Sequence, residues 1–298
     1  FYLDAPMELA FALLIGAEQY VAAKVSLSNF TRWLADFDID YCEVWEVLGN
    51  QVPDPESEAR LRNRESPILM SSFGLKADVH ADLQKRLNAE IREMFGMTEV
   101  GLATVVPYQD ESMIGTGSCG RAAPYREVRV VDPEHLVDVA EGEVGELWVR
   151  GPGLLREYHR RPEVNAVCLL PDGWFRTGDL VSRDSDGYYW FRGRLKEIII
   201  RGGSNISPQE VEDALYSHPA VHEAAVVGVP HAVWGEVVAA VVAVREGMTV
   251  SEGELRTHVK QTLADYKVPE HIHFLPVLPK GPTGKVQRRA IKETLLQH

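Results

Sequence analysis

The chain has 298 residues, 45% of them hydrophobic and 25% charged, with 31 Lys plus Arg against 44 Asp plus Glu for a net charge of −13. That length holds one large domain or two ordinary ones, each able to bury a core. The acidic balance argues against a nucleic-acid surface, which would show as a basic patch. Cys42, Cys119 and Cys168 form no CxxC pair, so neither a structural zinc site nor a disulfide framework is expected and a reducing, cytoplasmic setting fits best. No apolar run approaches the ~20 residues of a transmembrane segment.

Residues 1–100 alternate helical and strand-like patterns, which predicts an α/β layer. Helices are predicted over 6–16 and 28–38, strands over 20–25, 40–47 and 67–72, and a polar loop over 51–66. Asp78 is predicted to cap a helix with Val79, Leu83 and Leu87 on one face and an Asp82/Arg86 pair at i,i+4. From about 115 to 194, short β-rich runs at 127–131, 145–150 and 187–191 are separated by Gly, Pro and Asp turns, which predicts an antiparallel, β-barrel-like subdomain. Beyond Lys196 the pattern is a compact α+β module. Ser207-Pro208-Gln209-Glu210 and Ser251-Glu252-Gly253-Glu254 both carry capping-box spacing, and strands are predicted between them over 223–229 and 237–244.

Four strings carry candidate chemistry. In Phe95-Gly96-Met97-Thr98-Glu99-Val100-Gly101 a hydroxyl and a carboxylate stand side by side, a pair able to hold a phosphate and its Mg²⁺; taken alone, the string reads more simply as an ordinary strand-to-helix turn. In Gly173–Leu180, Asp179 follows a Thr-Gly pair and can accept two hydrogen bonds from a ribose diol, or simply occupy a β-turn. The stretch from Gly193 to Pro208 joins cations, a buried strand and the double glycine Gly202-Gly203, as either a functional loop or a surface loop feeding a core strand. Pro279–Val286 has the wrong glycine spacing for a Walker phosphate loop, and Val286 stands where Ser or Thr is required. What remains there is Lys285 on a Gly/Pro-rich loop, a point charge for phosphate or a solvated lysine.

Taken together and in order, these strings resemble the adenylate-forming superfamily of acyl-CoA synthetases, peptide-synthetase adenylation domains and beetle luciferases. Phe95–Glu99, reached from a helix at 78–92, resembles its "YGxTE" segment, with Phe95 for Tyr; Gly145–Pro152 resembles "GELWVRGP" and Gly173–Leu180 resembles "GWxxTGDL". Gly187–Lys196 resembles "GYxxxxGRxK", Tyr266–Pro269 "YKxP" and Leu278–Lys285 the terminal "LPxxxxGK".

The resemblance implies the remainder of a large α/β domain over 1–195, with an α/β layer over 1–114 and the β-barrel-like subdomain over 115–195. A small α+β C-terminal lid over 196–298 follows. It implies ATP, Mg²⁺ and coenzyme A as partners of a carboxylic acid substrate. The acid attacks the α-phosphorus of ATP to give an acyl-adenylate, and a thiol then displaces AMP; no general base is needed. Phe95, Gly96, Met97, Thr98 and Phe191 would border the nucleotide, and Glu99 would help hold Mg²⁺. Asp179 would bind the ribose hydroxyls, with Arg194 beside it. Lys285 would stabilise the charge that develops as carboxylate and α-phosphate join. Lys196 takes the hinge position about which the lid rotates. Arg201, Gly202, Gly203 and Ser204 would then face the thiol, the glycines leaving room for a thin arm. Trp45 and Phe73 are acyl-pocket candidates, or plain core aromatics.

Lys196 and the Arg-Gly-Gly-x-Asn-Ile pattern resemble acyl-CoA ligases more than peptide-synthetase domains. Loading of a carrier-protein phosphopantetheine and a non-catalytic AMP-binding homologue are the alternatives. The family's Ser/Thr/Gly-rich phosphate loop is absent, and the chain opens at Phe1 in apolar sequence. The expectation is an N-terminally incomplete enzyme that alone adenylates poorly. Neither the acid nor the oligomeric state is indicated.

Overall fold

The computed structural model describes residues 4–22, 26–44, 53–75, 77–281 and 286–296, with side chains from residue 8 of the first helix onward. The chain divides into two compact units, Phe1–Thr177 with Val181–Phe191, and Gly178–Leu180 with Arg192–His298.

The first unit opens with helix α1 (Asp4–Ile15), on which Leu9, Phe11, Leu13, Leu14 and Ile15 are exposed. Helix α2 (Phe30–Asp36) and strand β1 (Tyr41–Val44) follow. The buried strand predicted over 20–25 does not form where it is described: residues 20–22 lie in no strand, and Tyr20 and Val21 are exposed. Tyr20 instead stacks on Phe37 at 4.6 Å. An apolar run becomes a strand only where a neighbouring edge receives its N–H and C=O groups.

The loop predicted over 51–66 is also corrected, because it holds helix α3 (Pro55–Arg62). Asp54 accepts from the Ser57 N–H at 3.2 Å, Pro55 opens the helix, acids fill its first turn and arginines its last. Its polar composition hides it, since the buried positions are Ser57, Glu58 and Leu61.

Strand β2 (Ile68–Ser72), helix α4 (Ala77–Leu87), β3 (Ala89–Met97), β4 (Gly101–Val105) and β5 (Arg121–Ala122) complete a five-stranded sheet of order β1-β2-β3-β4-β5. Pairing is parallel from β1 to β3 and antiparallel from β3 to β5. Helix α4 buries His80, Leu83 and Leu87 at helical spacing; each buried leucine contributes roughly 2 kcal/mol. Asp78 sits within the first turn rather than at the cap, and the Asp82–Arg86 pair forms at 2.8 Å. The helix expected over 78–92 stops at Leu87, where Asn88 reverses the chain with φ +48. Residues from Ala89 onward enter the sheet instead.

A second sheet, of order β6-β7-β8-β9, comprises β6 (Glu127–Val131), β7 (Val144–Arg150), β8 (Phe175–Arg183) and β9 (Tyr189–Arg194), with helix α5 (Pro162–Cys168) between β7 and β8. β6 and β7 are antiparallel. Asp179 therefore lies in a strand and not in a turn. Gly178, with φ +72, supplies the turn-like residue inside β8. The core beneath this sheet gathers Val130, Leu147, Val149, Phe175, Val181 and Tyr189.

In the second unit β10 (Ile199–Arg201) and β11 (Ser204–Ile206) precede helix α6 (Pro208–Tyr216), the long pair β12 (Val221–His231) and β13 (Gly235–Val244), helix α7 (Glu252–Val259), β14 (His271–Phe274) and helix α8 (Arg288–Leu295). The sheet order is β11-β10-β13-β12, with β14 parallel to β13. Alternation sends Val226, Val238, Ala240 and Val242 to one face against α6 and α7 residues Val211, Leu215 and Leu255. It sends Ala225, Val227, Ala239 and Val241 to the other against Leu278 and Ile291. Both faces are covered, which is why these strands read as unbroken apolar runs.

The two expected capping boxes diverge. At α7 the box closes, with Ser251 and Glu254 bonding each other's backbone. At α6 it does not: the Ser207 hydroxyl donates to the Arg192 carbonyl, and Glu210 pairs with Lys267 at 2.7 Å. No described helix is long and apolar enough to cross a membrane.

Candidate adenylation site

The β3–β4 hairpin presents the first group of predicted residues. Phe95, Gly96 and Met97 end β3, and Thr98–Val100 form the turn, so this is a strand-to-strand connection and not a strand-to-helix one. Gly96 and Gly101 are both required: a Cβ on Gly96 would lie 2.7 Å from the Gly101 carbonyl oxygen, and Gly101 holds φ +65. Phe95 stacks on Phe191 with ring centroids 6.3 Å apart and planes at 22°, which brings together two aromatics expected at the nucleotide.

Thr98 is exposed at the tip and Glu99 half-buried beside it. The Glu99 carboxylate accepts from the Tyr158 hydroxyl at 2.7 Å, and its backbone carbonyl accepts from the Leu155 N–H at 2.7 Å. Burial, followed by the hydrogen bond to Glu99, pushes the Tyr158 phenol up, so Tyr158 stays a donor that orients the carboxylate. Sequence reasoning missed Tyr158. Its 59-residue separation from Glu99 leaves no local spacing signal.

The second group lies in the other unit. Asp179, 6% exposed, receives Arg194 Nε at 3.2 Å. Burial pushes its carboxyl up to about 6, against the opposing pull of the exposed Arg194 guanidinium. Lys196 sits in a short 3₁₀ turn (Leu195–Glu197), exposed, with Glu197 reaching Arg288 at 3.4 Å. Arg288 also binds both oxygens of the buried Glu212 at 2.7 Å. Burial raises Glu212 to about 7, with Arg288 opposing.

Arg201 ends β10, donating to the Tyr266 carbonyl at 2.9 Å and to Glu270 at 3.3 Å. Gly202 and Gly203 hold φ +55 and +84, the two positive values of a tight hairpin turn. A Cβ on Gly202 would come 2.9 Å from the Trp234 ring, whereas one on Gly203 would meet nothing within 4 Å. Turn geometry thus accounts for the double glycine independently of any thiol. Ser204 is exposed on β11, and Phe73 is half-buried in the turn after β2. Trp45 and Lys285 lie outside the described residues.

Comparison with known proteins decides the family. Residues 2–159 match the model of the AMP-binding enzyme, and residues 210–285 that of the AMP-binding enzyme C-terminal domain. The chain belongs to the AMP-binding enzyme family. The chain is 38% identical over 218 residues to the sulfoacetate–CoA ligase of Cupriavidus necator, covering 73% of this chain and 42% of that protein. It is 39% identical over 209 residues to the indoleacetate–CoA ligase of Aromatoleum aromaticum, covering 70% and 40%. Among solved structures it resembles ATP-bound MatB from Rhodopseudomonas palustris, with TM-score 0.85, 31% identity, and 96% of this chain covering 56% of that one. The chain thus spans less than half the length of these curated relatives. Its fold class is mixed α/β with a small C-terminal domain, as its motifs imply.

Proposed function

We propose that the protein activates a carboxylic acid with ATP and passes the acyl group to coenzyme A. The observation that carries this reading is the β3–β4 hairpin, which sets an aromatic face (Phe95), a hydroxyl (Thr98) and an oriented carboxylate (Glu99) along five consecutive residues. Those are the groups an adenine, a phosphate and a hydrated divalent cation require.

In this reading a carboxylate oxygen of the substrate attacks the α-phosphorus and the bond to pyrophosphate breaks. Lys285 stabilises the charge gathered in the transition state. Asp179 accepts from the ribose hydroxyls, held by Arg194. The thiol sulfur then attacks the acyl carbonyl, its proton is lost to solvent, and AMP leaves. Mg²⁺ supplies charge neutralisation on the phosphates when bound. Glu99 and Thr98 offer it hard oxygen donors, and no described cluster of three His, Cys, Asp or Glu competes. That suits an ion held by one carboxylate and the substrate phosphates.

The domain reading belongs to the same proposal: 1–195 serves as the large domain and 196–298 as a lid turning at Lys196, with Arg201–Ser204 facing the thiol after rotation. The relatives named for sulfoacetate and indoleacetate support coenzyme A over a carrier-protein thiol. The test is pyrophosphate release across an acid panel, using the protein expressed from its complete reading frame, followed by comparison of coenzyme A with a phosphopantetheinyl carrier. Acid-dependent release that is lost in Lys285→Ala is expected. Release independent of acid, or none with any acid, would remove the reading.

A further inference from the structure

β3 also carries a buried carboxylate that the proposed chemistry leaves unused. Glu93 stands two residues before Phe95, so alternation places both on one face of the strand. It is 4% exposed. Its Oε2 accepts the Gly74 N–H at 3.0 Å, while its Oε1 and the buried Ser72 hydroxyl have no hydrogen-bond partner among the described residues. Burial pushes its pKa up, and hydrogen bonding from the 72–75 turn pulls against that.

His80, 2% exposed, lies on the other side with Nε2 3.9 Å from Glu93 Oε1. The same nitrogen is 3.1 Å from the Ile91 carbonyl, to which it donates. Burial holds this imidazole below its usual pKa, so it is neutral near pH 7 and gives Glu93 no counter-charge. A carboxylate kept in such a place costs more than an apolar residue of equal volume. What it supplies is geometry, because a single side chain of β3 grips the backbone of the turn that carries Phe73.

We infer that Glu93 is a positioning residue for acid selectivity: by holding the 72–75 turn in fixed register with β3, it sets where Phe73 stands and thereby the size of the acyl pocket. This rests on the proposed acid-activating function and on Phe73 as a wall of that pocket.

The experiment compares Glu93→Leu and Glu93→Gln with the parent protein, expressed from its complete reading frame. Hydrogen exchange without substrates is the first readout. Losing the charged acceptor speeds exchange at residues 73–75 by about tenfold in Glu93→Leu, with β3 and α4 amides unchanged. Glu93→Gln keeps an accepting oxygen and stays near the parent rate. The second readout is kcat/KM for pyrophosphate release with a short aliphatic and an aryl acid. Their ratio shifts by about tenfold in Glu93→Leu and returns in Glu93→Gln, whereas a merely structural role lowers both acids alike. Unchanged exchange at 73–75 overturns the tie, and faster exchange with an unchanged ratio overturns the selectivity role. A parent protein that releases no pyrophosphate with any acid refutes the acid-activating reading, while the exchange readout still judges the tie. Should Glu93→Leu fail to fold, Glu93→Met takes its place, since its flexible side chain fills the space without accepting a hydrogen bond of comparable strength.

Discussion

Asp179 shows how burial makes one residue's contribution to stability depend on pH. Its carboxyl titrates near 6 in the folded chain because it is buried, and Arg194 only partly offsets this. The folded state then binds more protons than the unfolded state between about pH 4 and 6, so stability falls as pH rises through that window, by about 3 kcal/mol in all. In the proposed function a ribose diol donates to the ionised form. Nucleotide affinity is therefore expected to weaken below about pH 6, with a proton released on binding. Calorimetry at about pH 5.5 in two buffers of different ionisation heat checks this, and identical heats in both would contradict it. Asp179→Asn should melt higher than the parent at about pH 8 and bind AMP at least tenfold more weakly, as expected for loss of a charge-assisted acceptor.

At the scale of elements, the two serine starts make opposite predictions. Ser251→Ala removes a closed capping box and should cost about 1 kcal/mol of second-unit stability in urea unfolding. Ser207→Ala removes no cap, so its effect should come only through the lost bond to Arg192. The glycine turn can be split in the same way. Ala at 203 meets only the backbone penalty of about 1–2 kcal/mol, while Ala at 202 also presses on Trp234 and should lower the melting temperature further. Arg288 joins α8 to Glu212 on α6 and to Glu197 in the 3₁₀ turn. Its replacement by Met leaves Glu212 buried without its cation. Because Glu212 can take a proton below about pH 7, the loss should be larger at pH 8 than at pH 6, with roughly 3 kcal/mol as an upper scale; equal losses would mean that Glu212 stays ionised throughout.

For the whole molecule, each unit has its own core. Those of the second unit draw only on residues from Ile199 onward. Residues 192–298 expressed alone should therefore unfold cooperatively; a broad transition with strong dye binding would refute this. Much of the plan was legible in residue order. The apolar runs of β12 and β13, the Leu83/Leu87 stripe of α4 and the order of the six motifs could all be read locally, because each is set by periodicity or by backbone demands at Gly and Pro. The helix at Pro55–Arg62 carried a local start signal in Asp54-Pro55, but its polar composition made it read as a loop. The 20–25 strand failed for the opposite reason, since its apolar composition said nothing about whether a partner edge was present.

What the sequence by itself determined is the family, the mixed α/β class and the adjacency of Thr98 and Glu99, for these rest on neighbouring residues and on turn chemistry. Only the tertiary structure decided that Tyr158 orients Glu99, that Phe191 stacks on Phe95, that Asp179 sits in a strand at an elevated pKa, and that Glu93 grips the turn of Phe73. Each depends on burial or on pairs far apart in the chain, and local spacing encodes neither.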